Sequence, residues 1–276
     1  MRLWNWKSLL LAVVLPASST LSPAQTPQDK AWQILRRGAA EKSTDERAKA
    51  IGALGLLLRD PGAAAIAEKA LGDDRPEVRV AAARALGDIR LEASAPKLRK
   101  ALSDKESSVV MAAAHSLILF KDNAGYEVYY AVLKGERKSG EGLISQEMDL
   151  LREPRKVAEY CFEEGIGFVP YAGYGLSAVE YIRKEEVSSS SLKAAAAKVL
   201  ADDPDPQTGR ALVEAVSDKR WQVRGAALEA IAKRGDPSLL QAIQAAMSDK
   251  NDIVRFTAAA AVIRLTAVAE AKKDKK

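Results

Sequence analysis

The chain has 276 residues, one cysteine, one histidine and a formal net charge of +5. Arg2 and Lys7 contribute two of those charges and the closing KKDKK contributes three, so residues 25 to 271 sum to zero; a nucleic-acid groove, which needs clustered Lys and Arg to displace counterions, is excluded. A lone cysteine, Cys161, allows no intrachain disulfide, and His115 as the only histidine leaves no metal-ligand set at helical spacing, so stability must come from packing and no cofactor is expected.

Residues 1–24 open with two cations, continue through an apolar run from Leu9 to Leu15, and finish in the small, polar stretch that ends Ser22-Pro23-Ala24. That three-part pattern is the pattern of a secretory signal peptide, too short to cross a bilayer as a mature helix. Cleavage is expected after Ala24, delivering the protein to the periplasm or outside the cell. No cysteine stands near the site to carry a lipid anchor.

A repeated phrase governs the next region. An aspartate at Asp73, Asp104, Asp218 and Asp249 is followed five residues later by Val78, Val109, Val223 or Val254, and then by Arg79, Arg224 or Arg255, with Val110 as the exception. The aspartates are spaced by 31 residues within each half, and weaker copies at Arg47–Gly55 and Leu192–Leu200 bring the series to about six units. Apolar positions return every three or four residues on two segments around a short polar turn, which is a pair of amphipathic helices and not a pair of strands. Pro76 and the aspartates mark starts, and Gly72, Gly87 and Pro96 mark ends. One such pair cannot bury its apolar stripe alone, so the units must stack, and the alanines let neighbouring helices approach closely.

The phrase from Asp73 to Gly87, D-x4-V-R followed by A-A-x-A-L-G, resembles the HEAT-repeat family, in the short bacterial form also found in phycobilisome lyases. The resemblance covers about residues 30–134 and 187–267 and implies an all-α fold, a right-handed α-solenoid of about six helix pairs. It also implies a structural ladder of hydrogen bonds between neighbouring units, through Asp73, Arg79, Asp104, Asp218, Arg224, Asp249 and Arg255, with Arg47 in the same position. HEAT-fold deoxyhypusine hydroxylases hold iron through His-Glu pairs. Here His115 precedes Ser116 and has no second copy.

The spacing breaks once. Leu117 and Leu200 are 83 residues apart where 31 is the rule, so the fourth unit is expected to be split, with Asp122–Gly135 as its first helix and Ser188–Asp203 as its second. The organisation read from the chain is a leader at 1–24, N-terminal repeats at 25–134, a helical insertion at 135–186, C-terminal repeats at 187–271 and a basic tail at 272–276. Within the insertion, residues 165–182 hold four glycines, four aromatic rings and the single charge of Glu180. Stacking demands nothing of this kind: the segment either folds back to plug the stack or cover a neighbour, or it meets a partner or a membrane surface, with Phe168, Tyr171, Tyr174 and Tyr181 as the partner-binding residues.

No catalytic residues emerge from the sequence. Cys161 has no neighbouring histidine to serve as a base, the glycine pairs lack the spacing of a dinucleotide loop, and Glu163/Glu164 and Glu185/Glu186 have the form of solvated faces. His115 occupies the unit position also held by Arg84, Lys198, Glu229 and Ala260, expected to be an exposed face. The expected function is an exported, non-catalytic scaffold in the cell envelope or periplasm that binds a protein partner. Association with a membrane surface through residues 165–182 and the lysine tail is the alternative, and a lyase-like or enzyme-accessory role is a minor one.

Overall fold

The computed structural model describes residues 25–133 and 189–274, and among them the regular structure is helical throughout, with no strand. The leader, the insertion with Cys161 and the four aromatic residues expected to bind a partner lie outside the described residues.

Each unit begins from local chemistry. Helix α1 (Pro27–Gly38) opens with a reciprocal cap, the Asp29 N–H donating to Thr26 Oγ1 and the Thr26 N–H to Asp29 Oδ2, both at 3.1 Å. Ser43 caps α2 (Thr44–Ala53), and Asp60 caps α3 (Pro61–Ala70) through the Ala63 N–H at 2.8 Å. Helix α4 (Pro76–Ile89) carries its proline at the first position, where no backbone donor is needed. Helices α5 (Ala95–Ala101), α6 (Ser107–Leu119) and α7 (Asn123–Leu133) complete the first part. The second part holds α8 (Ser189–Val199), α9 (Pro206–Ala215), α10 (Trp221–Arg234), the short α11 (Leu240–Ile243) continued by a 3-10 stretch at Gln244–Ser248, and α12 (Asp252–Lys273). The basic tail expected from residue 272 is, through Lys273, the last turn of α12.

Two of the expected helix ends are not ends. Gly87 lies inside α4 and is buried there, because α6 approaches so closely that a Cβ on Gly87 would meet Ser116 Oγ at 2.5 Å. Pro96 stands in the first turn of α5. The chain instead turns after the inner helices of the first three units at Arg59, Arg90 and Lys121, all with positive φ; Gly235 does the same after α10.

The helices form two layers. Helices α2, α4, α6, α8, α10 and α12 pack side by side as an inner row; α3, α5, α9 and α11 each lie behind their own unit, α1 packs more on α12 than on α2, and these outer helices make no comparable contact with one another. Close inner contacts and splayed outer ones make the inner face concave.

The order along that row is not the order of the chain. It runs α8, α10, α12, α2, α4, α6, because α12 packs on both α1 and α2. The second part therefore stands before the first. The two segments expected to pair as one split unit do not meet: α7 packs on α6, α8 packs on α10, and they lie at opposite ends of the row. The physical cause is α12, in which Ala258, Ala259, Ala260, Ala261, Val262 and Ile263 run without a polar break and are all buried. A helix apolar on every side needs neighbours on every side.

Candidate partner-binding surface

The turn aspartates serve two bonds at once. Asp73, Asp104, Asp218 and Asp249 each accept the N–H two residues ahead, fixing the turn before the inner helix. Three of them also receive an arginine from the preceding unit in the row. Arg47 donates from Nε and Nη2 to Asp73, both at 2.9 Å; Arg79 does so to Asp104, both at 2.8 Å; Arg224 does so to Asp249 at 2.7 and 2.9 Å. The same guanidinium groups reach back to carbonyls of their own turn, those of Glu41, Asp73 and Asp218. These arginines are saturated by the protein and offer nothing to a ligand. Burial alone would raise the carboxyls of Asp73, Asp104 and Asp249, but the arginine and backbone donors more than offset it and hold all three below the usual carboxylate range.

The two remaining expected members differ. Asp218 meets Lys193 at 3.3 Å and Arg220 at 3.4 Å. Arg255 crosses between the two parts of the chain and donates to Glu46 at 3.3 Å as well as to its own Asp252 at 2.5 Å. Glu46 fell outside the sequence reading because nothing in chain order places it next to α12.

The expected exposed row of Lys198, Glu229, Ala260, Arg84 and His115 is only in part exposed. Lys198 is open, Arg84, His115 and Glu229 are half-covered, and Ala260 is fully buried, a correction that follows from how tightly the inner face closes over α12. Glu229 stands between Lys233 at 2.8 Å and Lys198 at 3.5 Å. Asp88, on α4, keeps contact with solvent on one side. The protein around it still raises its carboxyl above the ordinary value, against the pull of Lys233, His115 and Arg90 and with the help of Glu229. Charges from both parts of the chain thus face one another on the concave side.

Large apolar side chains are exposed mainly at the two ends of the row. Tyr126, Tyr129 and Tyr130 on α7, with Leu119 beside them on α6, stand at one end, Tyr130 at 63% exposure; Val199 and Leu200 stand at the other, Val199 at 77%. Residues 134–188 connect these ends. Among the described residues no three His, Cys, Asp or Glu side chains are grouped to hold a metal ion, and no helix is long and apolar enough to cross a membrane.

Paired helices, stacked through an arginine–aspartate ladder into a curved row, define a helical-repeat solenoid. The HEAT-repeat family model matches residues 29–118 and 184–263, more than half of the chain, and the chain belongs to the HEAT-repeat family. No curated protein matches it. Solved structures with some likeness include human deoxyhypusine hydroxylase in complex with glycerol, at 18% identity over 87% of this chain and 97% of that one, TM-score 0.33. Another is the CpcE–CpcF complex of phycocyanin lyase from Nostoc sp. PCC7120, at 20% identity over 96% and 99%, TM-score 0.34. A designed armadillo repeat protein follows at 17% identity over 87% and 100%, TM-score 0.28. None of these likenesses bears on what this chain binds.

Proposed function

We propose that the protein is a non-catalytic scaffold, exported to the periplasm or beyond, that binds a protein partner. The observation that carries this reading is the tyrosine face of α7, three aromatic rings at the end of a stack where no further helix covers them among the described residues. Exposed tyrosines give large contact area with a polar tip, the residue type enriched at protein interfaces. The chain leads from that face directly into the insertion that holds Phe168, Tyr171, Tyr174 and Tyr181, so both would meet the same partner. The ladder and the paired charges of the concave face are engaged within the protein and support the stack.

The test is recovery of a partner from envelope extract, followed by reassembly of the purified pair with three forms of the protein: intact, lacking residues 136–185, and carrying Tyr126→Ser with Tyr130→Ser. Binding by the intact form that falls at least about tenfold in either altered form, with helicity unchanged, supports the reading. Equal binding by all three sinks it. Anionic vesicles run alongside test the membrane alternative: salt-reversible sedimentation of the intact form would favour the lysine tail and residues 165–182 as a lipid contact.

A further inference from the structure

The ladder bonds close inside each part: Arg47 to Asp73 and Arg79 to Asp104 within residues 25–133, Lys193 to Asp218 and Arg224 to Asp249 within residues 189–274. What joins the two parts is of another kind. Phe256, on α12, is buried against α1 and α2, where it fills the space left by Gly38; a Cβ there would stand 2.5 Å from Phe256 Cζ and 2.8 Å from Ala50 Cβ. The corresponding positions of the other units hold Val80, Met111 and Gly225, so the ring is special to this junction. Around it Arg255 bonds Glu46, and Arg264, half-buried, donates to the Leu56 carbonyl at 2.7 Å. An apolar anchor in a fitted recess with charged bonds at its border is the anatomy of a protein–protein interface.

The length of the covalent connection would allow other packings than this one. Residues 134–188 leave α7 and return at α8, at opposite ends of the inner row. Six inner helices about 8–10 Å apart make a row on the order of 50 Å, and a chain of that length reaches several times further when extended. At that length the connection can reach between the ends, and it raises the effective concentration of one part for the other.

We propose that residues 189–274 dock on residues 25–133 as a separate partner would, with α12 as the docking helix and α1–α2 as its seat, so that the protein is a two-part assembly that outlasts the loss of its connection. The experiment places a specific protease site between Glu136 and Arg137 of the full chain and cuts it to completion. The two products are expected to remain one particle with the mass and helical signal of the uncut chain, and the melting temperature, independent of concentration before the cut, becomes concentration-dependent after it. In the cut form Phe256→Ala weakens association by more than about a hundredfold. Arg264→Met, which removes the bond to Leu56, gives a smaller loss in the same direction and serves if the Phe256 variant does not fold. Separation or aggregation of the unaltered products on cutting overturns the proposal. So does a cut particle that holds equally well with both substitutions.

Discussion

Phe256 and Gly38 fit only each other. Gly38→Ala forces the ring aside and is expected to cost about 1–3 kcal/mol, and Phe256→Ala, which empties the recess, about 3–5 kcal/mol. Combining Gly38→Ala with Phe256→Leu should cost at least about 0.5 kcal/mol less than the two single changes together, since the smaller side chain makes room for the new methyl. Urea denaturation of the three variants measures this, and strict additivity would separate the two residues. A second contrast lies in the ladder. The Arg79–Asp104 side chains are 7% and 14% exposed, whereas Arg99, paired with Asp122, is 56% exposed. Arg79→Ala removes a covered guanidinium that bonds both Asp104 and the Asp73 carbonyl and is expected to cost about 3 kcal/mol; Arg99→Ala, which removes an exposed one, should cost under about 1 kcal/mol. Equal losses would remove burial as the deciding factor.

At the scale of elements, the helix ends carry strain in a regular place. Arg59, Arg90 and Lys121 have φ of 55°, 56° and 60°, and the fourth such position holds Gly235. An L-residue pays in the left-handed region through contact between its Cβ and the backbone. Arg90→Gly is therefore expected to stabilise the protein by about 0.5–1 kcal/mol, read as a higher melting temperature. A lower one would mean that the Arg90 side chain supports the fold by more than its backbone strain costs. The helices themselves were legible in the sequence, since their apolar spacing and caps are local. Gly87 was misread as a stop because a glycine needed for close approach looks the same as a glycine needed for a turn. Arg90 was missed because left-handed ends usually fall on glycine or asparagine.

At the scale of the whole molecule, stability should depend on acid in a predictable way. Asp73, Asp104, Asp122 and Asp249 are all held below the usual carboxylate range in the fold. Their contribution is complete above the unfolded value of about 3.9 and is lost as pH falls through the lower folded values. The melting temperature is thus expected to be level from neutrality to about pH 5 and to fall steeply below about pH 4. Removing one pair, as in Arg79→Ala, should make that fall shallower. The order of the row makes a separate prediction. A permutant that begins at residue 189, joins residue 274 to residue 25 through about ten Gly and Ser residues, and ends at residue 133 should give the same helical content, because it threads the existing row in sequence. Loss of folding in that permutant would show that the connection at 134–188 takes part in the packing.

The sequence by itself determined the helix pairs, their period and the stacking they require, because each follows from spacing along the chain. Only the tertiary structure decided that the second part stands before the first, that Arg255 finds Glu46, and that Ala260 is buried beneath the concave face. Repeats with the same grammar present nearly interchangeable surfaces, so which unit stacks on which is settled by the few residues that differ, here Phe256 against Gly38 and the continuously apolar stretch from Ala258 to Ile263 of α12. Such complementarity has no signature in spacing. It exists only between surfaces, once both have formed.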